Sequence, residues 1–187
     1  MHRIAIFASG SGTNAEKIIG HFRGDENSSV SLIVCNKPNA GVIERAQQYG
    51  IAVKLVERTS FYEADKLLAE LENNGITFIV LAGFLWLIPA YLIKAFPNKI
   101  INLHPALLPK FGGKGMYGMN VHRAVLQSGE KESGITIHYV NEKYDEGQII
   151  FQARCCIEQT DTPESLQKKV QQLEHEHFPK VIENQLS

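Results

Sequence analysis

Apolar runs rich in Ile and Val recur at residues 3–8, 30–35, 52–56, 77–82 and 99–103, each closed by a turn signal, and they read as short strands. Segments of helical period lie between them, at 14–22, 40–49, 61–72 and 89–95, the third carrying Leu67, Leu68 and Leu71 on one face. Strand and helix in alternation predict a parallel sheet covered on both sides. After a further helix at 121–127 the pattern changes to two strands, 134–140 and 148–156, joined by the polar turn 141–147. That pair reads as an antiparallel hairpin added to the sheet. Pro163 opens the last helix with Thr162 as its N-cap, and the apolar period passes Leu166, Val170 and Leu173 until Pro179 interrupts it. The expected fold is therefore α/β: one Rossmann-like domain over residues 1–187, a mostly parallel twisted sheet with helices on both faces and a C-terminal antiparallel hairpin.

Composition narrows the function classes. With 187 residues, 44% of them hydrophobic and 21% charged, the chain fits one globular domain and excludes disorder. Nineteen Lys plus Arg against twenty Asp plus Glu leave a net charge of -1, no field for gathering nucleic acid or anionic lipid. The three cysteines are odd in number and show no C-x-x-C spacing, so reduced thiols in a cytoplasmic protein are expected. The first apolar run is too short for a signal peptide. The uncharged stretch 78–93 is interrupted by Gly83 and Pro89 and falls short of a membrane span.

The turn Ser9-Gly10-Ser11-Gly12-Thr13-Asn14-Ala15 sits between a buried strand and an amphipathic helix, where backbone N–H groups and the helix dipole make a phosphate site. It matches the dinucleotide pattern G-x-G-x-x-A, but that reading needs an acidic residue after the second strand, and Cys35-Asn36-Lys37 stands there. The pattern G-x-x-x-x-G-K-[ST] is absent, which excludes an ATP P-loop. A single phosphate held by Gly12, Thr13 and Asn14 fits best; a tight turn that binds nothing is the bland alternative.

Asn102 and His104 alternate out of the strand 99–103 on one side, about 7 Å apart. In a parallel sheet the carboxyl ends of the strands form the ligand crevice, so this pair and the glycine turn fall on one edge. An amide and an imidazole there can donate to a developing oxyanion, and the imidazole can carry a proton, which favours direct group transfer. Polar groups satisfying a strand end would look the same. Asp145, in Tyr144-Asp145-Glu146-Gly147, reads on its own as an ordinary turn residue.

Four motifs change that weighting: S-G-x-G-[ST]-N near the N-terminus, L-A-G-F at 81–84, N-L-H-P-A-L-L-P at 102–109, and H-x-V-x-x-x-x-D-x-G at 138–147. In this combination and order the chain resembles the glycinamide ribonucleotide formyltransferases, a folate-dependent formyltransferase family, over essentially its whole length. The resemblance implies transfer of formyl from 10-formyltetrahydrofolate to the amine of phosphoribosylglycinamide, with Asn102, His104 and Asp145 at the catalytic positions and no metal required. In that chemistry Asn102 and a protonated His104 stabilise the oxyanion, while Asp145 raises the imidazole pKa and holds a water that shuttles the proton. Gly12, Thr13 and Asn14 match the substrate-phosphate loop, and Gln171 and Glu174, three apart on the last helix, match residues that hold the ribose. The folate would lie along Leu85, Trp86, Leu87, the Ala106-Leu107-Leu108 segment, Val140, Asn141 and Tyr144. Small-molecule partners, no nucleic acid, no membrane, and a monomer or homodimer are what the resemblance implies.

The chain departs from the common pattern of the family at several places. Trp86 stands where many relatives carry Arg, Ala106 replaces a frequent Ser, and Gln148 a frequent Pro. The glycine-rich stretch 112–118 is longer than in many relatives and reads as either a lid or a plain surface loop. Methionyl-tRNA formyltransferases, formyltetrahydrofolate deformylases and sugar-nucleotide formyltransferases share the chemistry but usually carry extra chain, a basic C-terminal domain in the first and an N-terminal regulatory domain in the second, whereas this sequence reads from the first strand to the last helix of one domain. A dinucleotide-binding domain is the rival from another class. His175 and His177, two apart on a helix, face different ways, which argues against a zinc pair. His122 and His138 could line the cleft, although a satisfied or surface histidine is the default for each, and His2 and His21 read as surface positions.

Overall fold

The computed structural model describes residues 1–63 and 66–187 in full, and residues 64 and 65 only as part of a helix. The chain divides into a compact unit built on Met1–Ile101 and another built on Asn102–Gln185. In the first, β1 (His2–Ala8), β2 (Ser28–Cys35), β3 (Ala52–Leu55) and β4 (Phe78–Leu81) are joined through α1 (Thr13–His21), α2 (Gly41–Gln48), α3 (Arg58–Tyr62) and α4 (Ala64–Asn73). Helix α5 (Ala90–Ala95) follows, and β5 (Ile100–His104) begins in this unit and ends in the next. β1 pairs in parallel with β2 and β4, and β2 with β3. Residues 4–8 of β1 and all of β4 are buried, so these central strands are apolar on both faces and read as continuous runs. β3, at the end of the strand order β3-β2-β1-β4-β5-β6-β7, is only four residues long and half-exposed, as suits an edge.

The second unit contains α6 (Met119–Gln127), β6 (Glu132–Tyr139), β7 (Ile149–Cys156) and α7 (Pro163–Leu186). β6 and β7 form the expected antiparallel hairpin, in register from Glu132↔Cys156 to His138↔Ile149, with an irregularity between Ile137 and His138. A Cβ at Gly134 would lie 1.9 Å from the Ala153 carbonyl oxygen, so only glycine lets these strands approach so closely. α7 covers one face of the hairpin, with the Phe151 and His177 rings 5.0 Å apart. Its start is a capping box: the Ser165 N–H donates to Thr162 Oγ1 and the Thr162 N–H to Ser165 Oγ.

Two expectations fail. The stretch 61–72 is two helices, because Glu63 is extended at φ -91° and ψ 121°. Phe61 is fully buried against Phe84 and Trp86, and its carbonyl takes the Tyr91 hydroxyl, so side-chain packing sets the break that periodicity passes over. Pro179 does not interrupt α7, which runs on to Leu186. An internal proline costs about 3 kcal/mol. Burying Phe178, Val181 and Ile182 around it is worth about 1.5–3 kcal/mol for each side chain and outweighs that cost. Among the described residues no helix is long and apolar enough to cross a membrane.

Candidate active site

β5 places Asn102 and His104 on one side of the strand, as alternation requires, and the second unit brings Asp145 and His138 to them. The Nε2–H of His104 donates to the Phe111 carbonyl oxygen at 2.8 Å, since a carbonyl can only accept. Its Nδ1 then faces Asp145 Oδ2 at 3.5 Å. By the same argument His138 donates from Nδ1 to the Tyr139 carbonyl at 2.8 Å, so that Nε2 is an acceptor when the ring is neutral and a donor when it is protonated. The Asn102 amide nitrogen stands 3.1 Å from that Nε2 and 3.3 Å from Asp145 Oδ1, so its two N–H groups serve both neighbours. Asp145 Oδ2 also accepts the Gly113 N–H at 2.9 Å.

The electrostatics follow from burial. Desolvation pulls the His104 imidazole below its ordinary pKa; the Asp145 carboxylate and the Phe111 carbonyl oppose this but do not overcome it, and charge on His138 adds to it. The expectation that Asp145 raises the His104 pKa therefore holds for the direction of that one interaction and fails for the net result. For Asp145, burial favours the neutral acid, but His138, His104 and the Gly113 N–H together hold the carboxyl below the usual range. The resting arrangement is an anionic Asp145 beside a neutral His104, with the His104 lone pair on Nδ1 facing the carboxylate. A proton arriving at Nδ1 would sit between the two groups.

Asp145 is not an exposed turn residue. Its side chain is 12% exposed, and its backbone takes φ 56°, a left-handed conformation that Asp tolerates better than most residues. His138 is a satisfied histidine and not a surface one: it is buried within the cluster, both ring nitrogens have partners, and a strand irregularity lies beside it. At its start the stretch 112–118 is more than a plain surface loop. A Cβ at Gly112 would meet Leu108 Cδ2 at 2.6 Å and Asp145 Cβ at 3.2 Å, so the glycine lets the backbone pack on the carboxylate. Thr136 was missed entirely: its Oγ1 accepts the Leu108 N–H at 3.0 Å, donates to the Ala106 carbonyl at 2.7 Å, and with Gln152 fixes the segment after His104.

In the first unit the glycine turn does join β1 to α1. Gly12 is left-handed at φ 80°, and a Cβ there would meet Val42 at 2.6 Å. The Leu85 N–H donates to Ser9 Oγ at 3.1 Å and the Ser9 N–H to the Gly83 carbonyl at 3.1 Å, tying this turn to the segment after β4. Thr13, Asn14, Leu85, Trp86 and Leu87 are all half-buried. The Trp86 ring packs 5.3 Å from Phe61 and 5.9 Å from Phe84, with Tyr62 at 6.5 Å. In the second unit Gln171 and Glu174 lie half-buried on α7, Leu107, Val140 and Asn141 are half-buried, and Tyr144 is 39% exposed. β2 ends at Cys35 with no carboxylate in the next two residues, so a dinucleotide ribose has no acidic partner there.

A mostly parallel α/β sheet thus carries, from β5 onward, an Asn-His-Asp cluster in which His104 is buried and the Asp145 side chain nearly so. The formyl transferase family matches residues 2–182, and the chain belongs to that family. It is 45% identical to the chloroplastic phosphoribosylglycinamide formyltransferase of Arabidopsis thaliana, over 96% of this chain and 64% of the relative. To the phosphoribosylglycinamide formyltransferase of Bacillus subtilis it is 38% identical, over 100% of this chain and 95% of the relative. Among solved structures, glycinamide ribonucleotide transformylase 1 from Geobacillus kaustophilus superimposes with a TM-score of 0.89 at 37% identity, all of each chain being covered. The chain spans 64% and 60% of the length of the two plant relatives, the second being from Vigna unguiculata.

Proposed function

We propose that the protein transfers a formyl group from 10-formyltetrahydrofolate to the amine of phosphoribosylglycinamide, a step of purine biosynthesis. The observation that carries this reading is the convergence of Asn102, His104, His138 and Asp145 within one compact unit of a formyl transferase family chain. The named activity of its relatives supports the choice of substrates. The partly exposed rings of Trp86, after β4, and Tyr62, at the end of α3, suit a flat heteroaromatic donor.

In this reading the substrate amine attacks the formyl carbon, negative charge gathers on the formyl oxygen, and the amine nitrogen becomes acidic. Asn102 gives an N–H to that oxygen by exchanging one of its internal partners, and His104 turns its Nε2–H from the Phe111 carbonyl to the same charge. The proton lost by the attacking amine passes through a water held by Asp145 to His104 Nδ1, and the imidazole gives its Nε2 proton to the folate nitrogen as the bond from that nitrogen to the formyl carbon breaks. No step calls on a metal. Gly12, Thr13 and Asn14 hold the phosphate, and Gln171 and Glu174 hold the ribose. Leu85, Trp86, Leu87, Leu107, Val140, Asn141 and Tyr144 contact the folate. The family match runs through both compact units, which supports their working as one formyltransferase domain. The three free thiols suit a reducing compartment such as the cytoplasm.

Mixing purified protein, phosphoribosylglycinamide and a formyl-folate donor, and following folate release by absorbance, tests substrate, donor and reaction together. Saturable turnover that depends on both substrates is expected. Folate release that is unaffected by omitting phosphoribosylglycinamide would show a hydrolase instead and overturn the assignment.

A further inference from the structure

The carbonyls of the glycine turn are held from one side by α2. The Val42 N–H donates to the Gly10 carbonyl at 3.2 Å, and Arg45 Nε–H donates to the Ser11 carbonyl at 2.9 Å. Gly41 lies against the same turn, where a Cβ would stand 3.0 Å from the Ser11 carbonyl oxygen. A trans peptide is planar, with its C=O and the following N–H pointing in opposite directions. Holding the Gly10 and Ser11 carbonyls toward α2 therefore turns the Ser11 and Gly12 N–H groups away from it. Two successive N–H groups aimed the same way next to a left-handed Gly12 make a concave anion-binding surface. The charge of Arg45 is already matched, because its terminal NH1 pairs with Glu16 of α1.

We propose that Arg45 is the positioning residue of the phosphate turn, acting through its Nε–H on the Ser11 carbonyl and not through its charge. This rests on the reading of the turn as the nucleotide-phosphate site and adds the side chain that orients it. The sequence alone does not single out Arg45, which is one of the polar residues on an amphipathic helix 33 positions beyond Gly12.

Side-chain geometry supplies a sharp test. Gln carries its amide nitrogen the same number of bonds from Cα as Arg carries Nε, without a positive charge, whereas Lys keeps the charge but has only a methylene there. Phosphoribosylglycinamide affinity is to be measured by calorimetry for the wild type, Arg45→Gln, Arg45→Lys and Arg45→Ala, with thermal melts to verify folding. Loss of the oriented hydrogen bond should weaken binding by roughly tenfold in the Lys and Ala variants. The Gln variant should stay within about threefold of wild type. In steady state the nucleotide KM should rise in the Lys and Ala variants while kcat and the folate KM hold. Wild-type affinity in Arg45→Ala, or retention by Lys with loss by Gln, would overturn the proposal, the latter in favour of simple charge attraction.

Inorganic phosphate, titrated while the Gly12 amide is followed by NMR, separates this inference from the broader reading. If phosphate shifts that amide in the wild type and not in Arg45→Ala, yet the nucleotide fails to bind, the clamp stands and the nucleotide assignment falls. An identical shift in both proteins, or no shift in either, overturns the clamp.

Discussion

At the residue scale the chemistry rests on an imidazole whose proton affinity is set by two opposed effects. Burial lowers the His104 pKa, and Asp145 is the strongest influence resisting that. Asp145→Asn keeps the shape and, since Asn tolerates the left-handed backbone, the turn as well. It removes the anion, so the His104 pKa should fall further, and the acidic limb of the rate profile should move to lower pH. Turnover should drop by roughly two orders of magnitude through the lost proton route. Because the carboxylate is nearly buried and holds Asn102 and Gly113, stability should also fall, by about 1–3 kcal/mol. Rate against pH together with denaturant melts checks both parts, and an unchanged profile would remove Asp145 from the mechanism. His104→Ala should lower kcat by roughly two to four orders of magnitude with the nucleotide dissociation constant nearly unchanged, because no phosphate contact is lost. A change confined to that constant would make His104 a binding residue.

Elements position these groups through contacts that tolerate little change. Gly147 closes the turn that carries Asp145, and a Cβ there would lie 1.6 Å from the Tyr139 carbonyl oxygen and 3.3 Å from His138 Nδ1. Backbone must move to admit it, so Gly147→Ala should displace Asp145 and His138 together. The expected outcome is loss of most turnover at a stability cost of about 2 kcal/mol or more, read by kinetics and by urea unfolding. At the start of α7 the capping box is exposed and remote from the Asn102-His104-His138-Asp145 cluster in its bonding. Thr162→Ala should cost about 1 kcal/mol and leave kcat alone. A fall in kcat at unchanged stability would contradict the purely structural role assigned to this cap.

For the whole molecule, the buried histidines and the bonded carboxylates act in the same direction on the acid side. His104 and His122 are lowered by burial, so the unfolded chain takes up protons first once the pH falls below about 6.5. Stability therefore rises with pH from the lowered folded values up to that point and is flat above it. Asp145 is lowered as well, and hydrogen bonds donated by Lys169 and by the Ser165 hydroxyl bring Asp161 to about 2. These carboxylates contribute stability above the unfolded carboxyl value, which is lost as the pH falls from about 4 toward their folded values. Melting temperatures taken from pH 8 to pH 3 should show a plateau, a first decline below about pH 6.5 and a steeper one below about pH 4. Replacing His104 and His122 together by Gln should flatten the first decline; an equally steep one would place the titrating groups elsewhere.

Periodicity was enough for the sheet, its helices and the hairpin, because a strand buried on both faces must be apolar throughout and a covering helix apolar on one side. The strand-end pair Asn102 and His104 was legible for a related reason: alternation alone puts them on one side. The N-cap at Thr162 needed only its neighbours. The break at Glu63 and the continuation through Pro179 depended on what Phe61, Phe178 and Ile182 are buried against, and burial partners distant in the chain leave no local pattern. The same holds for the site. His138 joins it beside a strand irregularity, the Gly113 N–H through the close approach that Gly112 permits, and Thr136 through bonds to carbonyl and N–H groups about 30 positions away. The net proton affinity of His104 was beyond one-dimensional reading as well, since it is a balance between desolvation and a carboxylate 41 residues along the chain.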